Sequence, residues 1–163
     1  MSRDKLVLQV TLDKPYTLHL DDDLGIDRAN INNELAGQPA QFAWYATLYE
    51  MARNKSNLLK QKIDEFAAKL DQSIRAANAA AGAKTTEGGI SAMIASDETM
   101  SKLQKQFVDS KREEGLLYVA KEAFEQRKDM LISIASNMRQ EWDTDLKISK
   151  DKVRERLSKT TGG

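Results

Sequence analysis

The stretch from Leu103 to Trp142, LQKQFVDSKREEGLLYVAKEAFEQRKDMLISIASNMRQEW, decides the fold. Stepping by seven from Leu103 gives Ser110, Leu117, Phe124, Leu131 and Met138, so five of these six positions are apolar. Phe107, Ala135 and Trp142 extend the seam at its ends, while Glu114, Lys121 and Lys128 keep its middle offset polar. A hydrophobic repeat held at seven, rather than drifting with the 3.6-residue turn, belongs to helices wrapped around a partner. Ser96 ahead of Asp97 and Glu98 suits a helix start, with acids at the positive end of the dipole. A second long helix is therefore expected from about Ser96 to Asp143.

Its partner lies upstream. Between Pro39 and Asn78, Tyr45, Leu48, Ala52, Leu59, Ile63, Phe66, Leu70 and Ile74 fall in one angular stripe at helical spacing, with no interrupting Gly or further Pro. Such a helix spans roughly 60 Å at ~1.5 Å per residue. Residues 79–89 are small and contain three glycines, which marks a connector, and residues 90–95 suit a short helix. The two rods form an antiparallel, coiled-coil-like hairpin. They expose more apolar edge than they hide in each other, so homo-oligomerisation is expected.

Before the rods, residues 5–12 and 16–20 carry strand-forming residues around a turn at Asp13-Lys14-Pro15, the pattern of a β-hairpin. A lone hairpin is marginal in water, so it must pack on something else or extend a sheet supplied by another copy. Asp21, Asp22 and Asp23 lack the spacing of a calcium loop and read as a solvated turn. Asp27 is placed to cap a short helix from Arg28 to Leu35 that Gly37 ends, and Pro39 to open the next. The chain thus divides into a hairpin at 1–25, a helical hairpin at 26–145 with its connector at about 79–95, and a basic tail at 146–163, partly helical or disordered.

Composition removes much chemistry. The 163 residues include no Cys and one His, His19, which excludes disulfides, thiolate zinc sites and multi-imidazole centres. There is no P-loop, GxGxxG, HExxH or GxSxG, and the helical carboxylates interleave with Lys and Arg as solvated faces do. An enzyme is not expected, nor a cofactor or metal. No apolar run approaches the ~20 residues of a membrane span and the polar start lacks a signal-peptide core, so a cytoplasmic protein without membrane contact is expected. The 25 Lys+Arg balance 25 Asp+Glu overall, yet residues 1–34 hold four bases against seven acids, residues 50–78 six against four, and residues 147–163 six against two. That polarity suits anion binding at one face, and equally a dipolar coiled coil.

Lys55, Lys62 and Lys69 recur every seven residues along one edge of the first rod's apolar stripe, about half a turn from Asp64 and Asp71. Repeated through an assembly, such a row can follow a phosphate backbone without reading bases, with Lys60 and Arg75 extending the field. The alternative is that these lysines cover the seam with their methylene stems and face glutamates of a neighbouring helix. On the residues alone, the second reading is the stronger. Trp44, Tyr45 and Tyr49 read as core or interface residues rather than base-stacking platforms.

Several short motifs resemble, in order and spacing, the UvsY-like family of phage recombination mediators. They are Ile26-Asp27, then Glu34-Leu35-Ala36, aromatics at Phe42, Trp44 and Tyr45, Ala68-Lys69-Leu70-Asp71, and Met93-Ile94-Ala95-Ser96-Asp97 followed by Lys102. The resemblance covers about residues 26–142. It implies a ring-like homo-oligomer that binds single-stranded DNA and helps a RecA-like recombinase displace single-strand-binding protein, in the host cytoplasm if phage-encoded. The family's basic motif carries onto Lys69 alone, because Ala67 and Ala68 stand where further bases belong. The competing expectation is a scaffolding coiled-coil protein that binds no nucleic acid.

Overall fold

The computed structural model describes residues 5–84 and 86–160, with side chains to residue 155. Two strands, β1 (Val7–Thr11) and β2 (Pro15–His19), precede a single helical turn, α1 (Leu20–Leu24). A 3-10 turn at Arg28–Asn30 leads into α2 (Ile31–Ala80), followed by the short α3 (Glu87–Ser96) and by α4 (Glu98–Thr160). The fold is mainly helical, and α2 and α4 pack against each other as an antiparallel pair.

The seven-residue repeat of α4 meets α2 as its period requires. Ser110, Leu117, Phe124 and Leu131 are buried, and Leu103 and Met138 are half-buried. From α2, Tyr45, Leu48, Ala52 and Ser56 close the same seam. Tyr45 stacks on Phe124 with ring centroids 4.3 Å apart, and the Ser56 and Ser110 hydroxyls hydrogen-bond at 3.0 Å. These contacts set the alignment of the rods. The β-hairpin pairs Leu8 with Leu18 and Val10 with Tyr16, and alternation turns Leu8, Val10 and Leu18 inward onto Tyr45, Leu48 and Phe124. The hairpin thus finds its second layer on the rods of its own chain.

Three local expectations are corrected. Gly37 and Pro39 do not divide α2, which runs unbroken from Ile31 to Ala80. Proline inside a helix leaves the carbonyl four residues back without its N–H, at a cost of about 3 kcal/mol. What holds the turn is tertiary: buried Gln38 donates to the Phe124 carbonyl at 2.6 Å and accepts from Arg127 at 2.6 Å. The Asp21–Asp23 run is helical, and each carboxylate has its own partner. Asp21 accepts from the Leu6 amide, Asp22 pairs with Lys5, and Asp23 accepts the Tyr45 hydroxyl at 2.6 Å. Burial and that carboxylate push the Tyr45 phenol well above its ordinary pKa. The start of α4 is capped by Asp97 rather than Ser96, through a 2.8 Å bond from the Met100 amide.

Asp27 caps only the 3-10 turn. It accepts from Asn30 and from the Ala29 amide, and these donors hold its carboxyl below the usual range. At its other end α2 closes on Gly82, whose φ of 63° permits the Ala83 amide to reach the Asn78 carbonyl at 2.9 Å. Gly115, by contrast, sits mid-helix, and a methyl group placed there would meet nothing within 4 Å beyond its chain neighbours and the backbone of its own turns of helix. Gly115→Ala is expected to stabilise by about 1 kcal/mol, or roughly 2–4 °C in Tm. Gly82→Ala is expected to destabilise by about 1–2 kcal/mol, because a Cβ is penalised in the left-handed region. Thermal melts followed by circular dichroism read both.

The tail continues α4 rather than leaving it: the helix persists to Thr160. With Ser56 opposite Ser110, Ile31 falls level with Ala135, and the groove at that end is lined by Ile31, Leu35, Ala135, Met138 and Trp142. At ~1.5 Å per residue, α4 beyond Trp142 overhangs the hairpin by about 27 Å. Every side chain from Arg139 to Glu155 is exposed.

Candidate nucleic-acid interface

The five cations singled out on α2 meet different fates. Lys55, at the edge of the seam, places Nζ 2.7 Å from Glu113 on α4 and 2.6 Å from the Thr11 carbonyl at the hairpin tip. Glu113 also accepts the Thr11 amide at 2.9 Å. Lys55 is thereby committed to holding strand, α2 and α4 together, as the seam-edge reading of the row requires. Lys60 pairs with Asp64 one turn on, at 2.7 Å. Arg75 is held by Asp71 and Glu87, both at 2.8 Å, and these carboxylates raise its already high pKa.

Lys62 and Lys69 are exposed and make no ion pair among the described residues. Lys62 borders an open groove of about 620 Å³ between the hairpin tip and the rods, with Leu58, Leu59 and Met51 as its apolar α2 wall. Asp109 faces it from α4 and Asp13 from the hairpin turn. The groove is of mixed charge and does not by itself enclose an anion.

The alignment of the rods adds a cation that the sequence reading missed. Lys62 lies six residues past Ser56, level with Gln104, which is six residues before Ser110. Lys105 stands one turn before Asp109 and Lys102 nearly two, on the stretch of α4 that runs past the groove. Lys102 is paired with Glu98 at 2.6 Å, whereas Lys105 is exposed and makes no ion pair among the described residues. Lys62, Lys69 and Lys105 are thus a set of exposed cations drawn from both helices toward one end of the hairpin. The only signal for it in the sequence is the three- and four-residue spacing of Lys102, Lys105 and Asp109, and that acquires meaning once the rods are aligned.

The aromatic residues divide as well. Tyr45 is buried in the seam and Tyr49 is half-buried with its ring 5.6 Å from Tyr118. Trp44 is 49% exposed, edge-on to Tyr16 at 6.0 Å, and so is not a core residue. His19 ends β2, exposed, opposite Val7. Among the described residues no group of three or more His, Asp or Glu side chains is arranged to hold a metal ion, and no helix is long and apolar enough to cross a membrane.

Comparison with protein-family models, with curated proteins and with solved structures finds no match to this chain.

Proposed function

We propose that this chain is a single-stranded DNA-binding recombination mediator. In this reading it acts in the cytoplasm as a ring-like homo-oligomer and loads a RecA-like recombinase onto strands covered by single-strand-binding protein. The observation that carries the DNA-binding part is the set of Lys62, Lys69 and Lys105, exposed cations from both helices toward one end of the hairpin that make no ion pair among the described residues. The resemblance of residues 26–142 to recombination mediators supports the remainder. Three point charges per chain hold a polyanion weakly, and repetition through an assembly raises the avidity without any new contact. No chemistry is asked of the protein: the strand is held, a competitor loosened, and the DNA presented.

A scaffolding role is the second reading. It is favoured by a specific observation, that Lys55, Lys60 and Arg75 are neutralised within the chain. Titration of a fluorescent single-stranded oligonucleotide separates the two. The mediator reading expects saturable binding that weakens steeply with salt, and a Lys62→Ala/Lys69→Ala variant whose salt slope is smaller by about 0.7 per lysine contact. Lys55 is left intact in that variant because its loss would disturb the hairpin clamp. Absence of saturable binding in dilute buffer, or a double variant that binds as the parent does, would refute the proposal.

A further inference from the structure

Beyond Val10 the β-hairpin leaves the core. Leu8, Val10, Leu18 and Leu20 belong to the buried cluster, whereas among residues 11–15 every one but Leu12 is exposed. The tip is folded on itself: the Leu12 amide donates to the Lys14 carbonyl at 3.1 Å and the Tyr16 hydroxyl to Asp13 at 3.0 Å. Among the described residues its hydrogen bonds to the rods are both made by the backbone of Thr11. The amide donates to Glu113 at 2.9 Å, and the carbonyl accepts from Lys55 at 2.6 Å.

Those ties sit at one end of the α2 cation row. Lys55 and Lys62 line the same groove, which Asp13 enters from the turn and Asp109 from α4. With the tip seated, the Lys55 side chain is 34% exposed and that of Glu113 15%, and their ion pair keeps two backbone partners. Two lysines thus face three carboxylates, Asp13, Asp109 and Glu113, a balance that repels a polyanion. Lifting the tip withdraws Asp13, evens the count, and strips the Lys55–Glu113 pair of both backbone bonds. What remains is an ordinary surface pair, which a phosphate can displace. Lys55 then stands about 10 Å along α2 from Lys62, at ~1.5 Å per residue.

We propose that the tip of the β-hairpin is a strap that competes with a single strand for Lys55. Seated, it leaves Lys62 and Lys69 to hold the strand on α2; lifted, it returns Lys55 to the row as a further contact. This inference rests on the DNA-binding reading and adds its regulation. Leu8, Val10 and Leu18 stay buried throughout, so only the tip moves. The coupling is reciprocal: if lifting the tip tightens binding, binding lifts the tip to the same extent.

Both sides of that coupling are measurable. In the parent chain, a saturating single-stranded oligonucleotide in dilute buffer should speed exchange of the Thr11 amide by at least about tenfold, while Val10 keeps its rate. Thr11→Pro deletes the donor to Glu113 without changing any charge. It should bind the oligonucleotide about three- to fivefold more tightly, with helicity unchanged, and adding Lys55→Ala should abolish the gain. Should Thr11→Pro fail to fold, the exchange measurement on the parent decides alone. A Thr11 amide that exchanges no faster at saturation, or a folded Thr11→Pro chain that binds as the parent does, overturns the strap and leaves DNA binding standing. Absence of saturable binding in both chains overturns the two together.

Discussion

Arg127→Met is expected to destabilise the protein by about 3–5 kcal/mol, the cost of breaking a buried ion pair from one side. Arg127 is 3% exposed on α4, and its guanidinium donates to the Gln38 side chain at 2.6 Å, the Gly25 carbonyl at 2.8 Å and the Leu24 carbonyl at 3.2 Å. It also pairs with Glu34 on α2. One side chain therefore ties the segment after α1, the first turns of α2 and the middle of α4. Methionine replaces the stem but leaves a carboxylate, an amide oxygen and two carbonyls without their donor. Arg127→Lys should recover little, because a single ammonium cannot reproduce a planar fork. Combining Arg127→Met with Glu34→Gln should recover part of the loss by removing the stranded charge. Urea unfolding of the three variants measures each step. A loss below about 1 kcal/mol for Arg127→Met would mean that the cluster is not the clamp described here.

Phe124→Ala carries the second large effect, again about 3–5 kcal/mol. Phe124 is fully buried, and its ring lies at 23° to that of Tyr45, a geometry worth about 0.5–1.5 kcal/mol beyond the area buried. The same ring belongs to the cluster that includes Leu8, Val10, Leu18 and Leu20, so its removal undermines the seat of the β-hairpin as well as the seam. Amide exchange should accelerate first in β1 and β2, which have no other layer to lean on. Tyr45→Phe, which keeps the ring and loses only the bond to Asp23, should cost nearer 1 kcal/mol. Equal losses for the two variants would place the stabilisation in the hydroxyl instead of the stack.

What could be read in advance was what repeats. The seven-residue steps of α4 and the stripe of α2 are periodic, and each residue of the α4 series lies in the seam because a partner helix demands that period. The hairpin was legible from its turn and alternation. Gly37 and Pro39 misled because local propensity was opposed by two hydrogen bonds of Gln38, one donated to a carbonyl 86 residues away and one accepted from a guanidinium 89 residues away. The three aspartates misled for a related reason: their partners come from β1's approach, the Lys5 side chain and α2, none adjacent in sequence. At the candidate site, a helical wheel of α2 places Lys62 and Lys69 in the open. It cannot show that Glu113, 58 residues from Lys55, takes that lysine out of the row, nor that Lys105 comes level with Lys62 on the other helix.

The paired hydroxyls of Ser56 and Ser110 bear on that last point. Most contacts between the rods are aliphatic or aromatic and tolerate sliding, since one leucine serves a hole much as another does. Displacement by a heptad would set Ser56 against Leu117 or Leu103 and strand two hydroxyls in hydrocarbon, at about 1–3 kcal/mol each. The pair works as an index mark on an otherwise ungraduated rule. It keeps Lys62 on one helix and Lys105 on the other at a constant offset along the rods, so that, under the proposed DNA-binding reading, the placing of these cations is written into the seam rather than left to the lysines.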